Sequence, residues 1–137
     1  MLIIKQKFIF REDLQNNPDI LYIFGDNMKR QGKGGQAKEM RGERNAYGIA
    51  TKMKPEHGTA DCYFYDEQKY FDIVDREFTK LKEDILWNIS TMDRYYSAIV
   101  VPSDGIGTGL ALLNENAPKL LTHINEKLEQ LKYVDFK

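Results

Sequence analysis

Two glycine-rich segments, each directly behind a short apolar run, constrain this chain more than any other feature. Residues 19–24 read DILYIF and lead into GDNMKRQGKGGQA; residues 97–102 read SAIVVP and lead into SDGIGTGLALL. A short continuous apolar run bounded by turn residues fits a buried strand, although periodicity alone leaves helix open. In open α/β sheets ligands bind beyond the carboxyl ends of strands. A strand that empties into a glycine loop is therefore the expected way for this chain to present backbone to a ligand.

The remaining segments supply the rest of such a fold. Residues 2–10 suit a first strand, and residues 11–17 are polar and turn-like or a short helix. Residues 25–48 hold six glycines and many charges, poor material for a core; they predict a long ordered loop with a short helix near residues 36–40. Residues 47–51 read as a strand and residues 63–65 as a further short one. Asp66 is the expected N-cap of a long helix, its carboxylate accepting from free amides of the first turn. Behind it Tyr70, Val74, Phe78, Leu81, Ile85 and Ile89 recur at three- and four-residue intervals, one apolar helix face with Trp87 at its edge. Asn116 is placed to cap a last helix with Pro118 in its first turn and Ala117, Leu121, Ile124, Leu128 and Leu131 as its buried stripe. Residues 133–136 predict a closing strand. Strands alternating with helices give an α/β fold with a mixed or mostly parallel sheet, and 137 residues without repeat or linker give one domain, residues 1–137.

Composition narrows the function classes. Apolar residues make up 42% of the chain, enough for a core without metal or disulfide staples. The formal net charge of −1 excludes a whole-protein basic field for nucleic acid, so such contact would need a local patch. Cys62 is the single cysteine, and His57 and His123 are the only histidines, so neither a disulfide nor a structural zinc site is expected. Cys62 has no base beside it in sequence and reads as a buried thiol. The opening MLIIKQKFIFRED is charged too soon for a secretory signal, and no apolar run nears the ~18–20 residues of a membrane span. The expectation is a cytoplasmic protein with no membrane partner and no cofactor.

Each glycine loop carries its own chemistry. In the first, Gly32, Gly34 and Gly35 let backbone approach a ligand, and a helix opening near Gln36 would aim free amides at an anion. Lys29, Arg30 and Lys33 add positive charge, and Asp26 and Asn27 are suited to hydrogen-bond a base or ribose. The loop is neither a Walker A sequence nor a dinucleotide-fold fingerprint. In the second, Gly105, Gly107 and Gly109 alternate with Ile106 and Thr108, so that successive amides can form a concave anion nest. Ser103 and Thr108 offer hydroxyls, and Asp104 is the loop's only carboxylate. Elsewhere Arg41, Arg44 and Asn45 could clamp phosphate or face nucleic acid, His57 reads as a surface histidine with a proton-shuttle reading beside it, and His123 reads as structural.

GDN followed by GKGGQA, and later PSDGIGTGLALL, resembles the macrodomain family of three-layer α/β/α modules that bind ADP-ribose. The resemblance implies a base contact from Asp26, a distal-ribose wall from Gly32 through Gln36, and a diphosphate loop from Ser103 through Leu110, with Gly25, Asn27 and Thr51 lining the site. Thr51-Lys52-Met53-Lys54-Pro55 ahead of the long helix is similar to the branch containing the terminal ADP-ribose protein glycohydrolase. There a lysine acts on the anomeric carbon, and Lys52 is the matching position. Where that branch carries a second catalytic residue, an aspartate, this chain has Ala111, so Asp104 is the carboxylate left to replace it.

Three functions follow as expectations. The first is hydrolysis of an ADP-ribosyl linkage on protein or nucleic acid, with Lys52 and Asp104 as the reacting groups; a nucleophilic lysine needs its proton affinity lowered, by burial or by cations such as Lys54. The second, favoured by Ala111, is a non-catalytic binder of ADP-ribose or a related nucleotide. The third is a nucleic-acid accessory protein contacting its partner through Lys29, Arg30, Lys33, Arg41 and Arg44.

Overall fold

The computed structural model describes residues 1–92 and 96–134, the side chains of 88–92 excepted. Four strands, β1 (Leu2–Gln6), β2 (Ile20–Asn27), β3 (Ala46–Lys52) and β4 (Ala98–Pro102), form one sheet in the order β1-β4-β2-β3. Every pairing among them is parallel. Of the mixed or mostly parallel sheet expected, the described residues form the parallel one: the crossovers through helices return each strand in the same direction, and the one antiparallel contact among the described residues is the isolated bridge between Lys52 and Tyr63. That bridge is all that forms of the strand expected over residues 63–65, since the backbone turns after Tyr65, whose carbonyl accepts from the Glu67 amide at 2.9 Å.

Strand periodicity divides the core. Leu21, Ile23, Ile49, Ile99 and Val101 point to one face, where they meet α3 (Gln68–Met92) and α5 (Pro118–Gln130). Tyr22, Phe24 and Val100 point to the other and meet Ile9, Leu14 and Met40 around the short α1 (Arg11–Asn16) and α2 (Ala37–Met40). All five residues of β4 are buried, as the β-branched composition of a central parallel strand requires. On α3 the expected face of Tyr70, Val74, Phe78, Leu81 and Ile85 is buried; the Ile89 side chain lies outside the described residues. None of the helices described is long and apolar enough to cross a membrane.

Several boundaries differ from expectation. β1 stops at Gln6, and Phe10 instead precedes α1, its amide donating to Asp13. Asp66 caps a different helix from the one it precedes: its carboxylate accepts from the amides of Lys119 (3.2 Å) and Leu120 (2.8 Å) in α5. Asn116 accordingly closes α4 (Leu113–Asn116), and Ala117 stands at the N-cap of α5 without a side-chain bond. On α5, Leu120 takes the fully buried place expected of Leu121, which packs at the margin. Leu131–Tyr133 is a 3-10 turn that continues α5 and buries Leu131, so Tyr133 is not in a strand; residues 135–136 of that expectation lie outside the described residues.

Candidate functional site

β2 and β4 are neighbours in the sheet, and the chain leaves their carboxyl ends in opposite senses: β2 toward β3 on one side, β4 toward α4 and α5. Between the two departing loops lies a cleft of about 360 Å³, within the usual range for small-molecule sites. One wall is Gly32, Lys33, Gly34, Gly35 and Gln36; the facing wall is Asp104 through Ala111; Gly25, Asp26, Asn27, Thr51 and Lys52 form the floor. Ser103 is not part of it. Its amide continues the sheet to the Gln6 carbonyl, and it stands exposed before the loop turns inward.

The second loop is an open run of donors. Gly105 and Gly107 take φ values of +80° and +88°, and the amides of Ile106, Gly107, Thr108 and Gly109 have no acceptor among the described residues. Alternating left-handed glycines with unpaired amides make the concave donor surface of an anion nest. The two loops also touch. A Cβ on Gly25 would come 3.3–3.5 Å from Thr51, Ile106 and Gly107, and one on Gly34 would come 2.6 Å from Cδ1 of Leu110, which is half-exposed across the cleft.

The first loop is shaped by its own side chains. Asn27 Nδ2 donates to the Gln31 carbonyl at 2.7 Å while its Oδ1 accepts from the Lys29 amide. Arg41 grips Asp26 with both terminal nitrogens, at 2.6 and 3.1 Å, and donates to the carbonyls of Gly32 and Gln31. Arg30 bridges to Glu77, a buried α3 carboxylate that also accepts from the Ala50 amide at 2.7 Å. The Gln36 amide is locked in a reciprocal pair with the backbone of Ile9 at 3.2 Å each way. Asp26, Asn27 and Gln36 therefore line the cleft with side chains already committed, Asp26 and Asn27 to the loop and Gln36 to Ile9. Arg30 and Arg41 are neutralised as well, which leaves Lys29, Lys33 and the distant, exposed Arg44 of the expected basic patch. Asn45 is a buried tie, its Nδ2 shared among the carbonyls of Leu14, Asn17 and Ile20.

Lys52 ends β3 with its side chain buried in the cleft floor. Its Nζ donates to the Glu56 carbonyl at 3.0 Å, lies 3.2 Å from Nδ1 of His57, and sits 5.0 Å over the Tyr63 ring. Burial holds this amine below the ordinary lysine range, with Cys62 and Glu56 pulling weakly the other way. Lys54 does not contribute, because it is paired with Asp61. Asp104 is exposed on the opposite rim, and its carboxylate has no partner among the described residues. Ala111 is buried at the base of the facing wall, where the cleft meets the core. Among the described residues no three His, Cys, Asp or Glu side chains converge as metal ligands would.

A family of unknown function (DUF7831) matches residues 4–127. The chain belongs to that family. The match covers both glycine loops, Lys52 and His57. No curated protein and no solved structure matches the chain.

Several cleft residues escape a reading of the sequence. Lys7, just past β1, contributes a charge from an element that carries no motif. His57 reads from the sequence chiefly as a surface histidine, and it is exposed, yet it lines the cleft beside Lys52; its loop position offers no periodicity that places it. Cys62 is buried, as expected, with its sulfur 3.1 Å from the Thr59 hydroxyl. His123 joins α5 to α3 through Asp75 at 2.6 Å, a structural contact.

Proposed function

We propose that this protein is a macrodomain-like binder of ADP-ribose that cleaves an ADP-ribosyl linkage on a macromolecule through Lys52. The observation that carries the reading is the run of unpaired amides from Ile106 to Gly109 facing the first glycine loop across a cleft whose floor holds a buried lysine. Unpaired backbone donors around left-handed glycines favour a diphosphate, since an anion satisfies several of them at once. Lys33 and Lys7 on the rim add charge of the right sign. A buried amine of lowered proton affinity at the floor is suited to act on a sugar carbon held next to that diphosphate.

Base recognition does not rest on Asp26 in this reading, because Arg41 occupies its carboxylate; Asp26 holds the wall on which the ligand lies. Asp104, free on the facing rim, is the carboxylate that would move protons to the leaving group or to water.

A second reading, a binder without turnover, is favoured by Ala111, which puts a methyl group at the base of the cleft wall where the resembled branch has a carboxylate. Calorimetry with ADP-ribose, ADP, AMP and NAD, followed by a cleavage assay on ADP-ribosylated protein and DNA, separates the two. Binding with turnover supports the hydrolase, binding alone supports the second reading, and no binding of any adenosine diphosphate removes both.

A further inference from the structure

Lys52 has three neighbours at its amine, and they differ in what they can do with a proton. The Glu56 carbonyl accepts a hydrogen bond but cannot take the proton, and the Tyr63 ring face only stabilises the cation. His57 Nδ1, at 3.2 Å, is the contact that can remove it. A lysine ammonium only donates, so Nδ1 must hold a lone pair and the imidazole hydrogen must sit on Nε2. The amine is buried whereas His57 is exposed at the cleft wall. The imidazole therefore joins a buried donor to solvent.

We propose that His57 is the proton acceptor that turns Lys52 into a nucleophile toward the anomeric carbon of a phosphorylated aldose. This rests on the reading of Lys52 as the group that acts at the sugar carbon. As Nζ attacks C1 of the open-chain sugar, the N–C bond forms and an ammonium proton passes to Nδ1 of His57. The C1 carbonyl π bond breaks, and its oxygen takes a second proton from the same nitrogen to become a hydroxyl. In the second step that hydroxyl leaves as water, taking the proton back from His57, and the protonated Lys52 imine remains. Nothing is oxidised or reduced, and one water is released for each bond formed.

The surrounding charges leave this role to His57. Glu56 and Cys62 are the other titratable groups acting on Lys52. Lys54 is paired with Asp61, and the Tyr63 hydroxyl is engaged by the Gly58 amide at 3.3 Å. A general base positioned in this way is worth about 10²–10⁴-fold in rate.

The test traps the imine. The full chain is incubated with ribose 5-phosphate and cyanoborohydride, and the reduced adducts are located by peptide mass spectrometry. Lys52 is expected to label ahead of the exposed lysines near neutral pH. His57→Gln keeps an oxygen acceptor for the ammonium but has no base; its labelling of Lys52 should fall at least tenfold and recover when imidazole is added. A merely structural His57 would give neither the loss nor the rescue. Parent-like labelling in His57→Gln, no effect of imidazole, or no preference for Lys52 in the parent would each overturn the proposal. ADP-ribose affinity measured in parallel keeps the two readings apart. Binding with His57-independent labelling removes the role of His57 alone. His57-dependent labelling without ADP-ribose binding upholds it and removes the nucleotide reading.

Discussion

Gly107 lies so close to Leu113 that a Cβ on the glycine would come 2.3 Å from Leu113 Cδ1 and 2.9 Å from its Cγ. The Leu113 amide donates to the Gly107 carbonyl at 2.9 Å, so the second loop folds back onto the start of α4 through this pair. With φ at +88°, Gly107 is required by the fold before any ligand arrives. Gly107→Ala should therefore destabilise the protein by about 2 kcal/mol or more, from left-handed strain and overpacking together. Urea unfolding measures this; an unchanged midpoint would mean that the loop rearranges freely.

Gly109 is the better probe of the ligand. A Cβ there meets nothing within 4 Å, its φ is not positive, and its amide belongs to the unpaired run. Gly109→Val should keep the parent's thermal transition and lose at least tenfold in ADP-ribose affinity by calorimetry. Parent-like affinity would place the diphosphate elsewhere.

Asp66 reaches across 54 residues to the Leu120 amide at 2.8 Å. Removing a helix cap costs typically ~1 kcal/mol, so Asp66→Ala should lower stability by about that amount while leaving ligand affinity untouched. Loss of affinity at unchanged stability would contradict this structural role.

Asp26 separates fold from recognition. Its buried carboxylate is held by Arg41 at 2.6 Å, with Arg30 at 3.6 Å. Breaking a buried pair from one side costs about 3–5 kcal/mol, so Asp26→Ala should lose several kcal/mol in chemical denaturation, and Asp26→Ala with Arg41→Ala should lose less than the sum of the two. Adenine and hypoxanthine ligands should weaken alike in Asp26→Ala if the first wall has loosened. Selective loss of the adenine ligand would restore a base contact.

What could be read from the sequence was local. The strands before both glycine loops, the α3 face from Tyr70 to Ile85 and the short helix at Ala37–Met40 follow from patterning within a dozen residues. So does the placing of Lys52 at a strand end. What escaped depends on contacts between distant segments. Asp66 sits in an N-cap position for the helix that follows it, and only the packing of α5 against α3 turns it to another partner. Asp26 and Gln36 are polar residues in a glycine loop, and nothing nearby in sequence announces Arg41 or the Ile9 backbone as their partners. The strand order β1-β4-β2-β3 likewise depends on which side of β2 each crossover returns, a choice that no single segment encodes.

Lys52 carries the chemical claim. Its amine is buried beside the cleft and held below the ordinary lysine range by that burial. Lys52→Ala should abolish turnover of an ADP-ribosylated substrate while keeping ADP-ribose affinity within a few-fold, because the amine acts on the reacting carbon and not on the phosphates. Asp104→Ala should slow turnover without abolishing it. The pH dependence has a definite sign. The unfolded chain binds the Lys52 proton more tightly than the folded one, so this residue makes stability rise with pH between the folded value and the ordinary lysine value of about 10.4. Below that window the buried ammonium costs stability; above the ordinary value the full difference has been recovered. Turnover should rise with pH and level off before the ordinary lysine range, as the neutral amine becomes the main form. In Lys52→Met the alkaline rise in stability should flatten, which unfolding measured across that range reads without any substrate. If Lys52→Ala retains full turnover, the amine is not the reacting group. If Lys52→Met keeps the parent's alkaline profile, burial is not what sets its proton affinity.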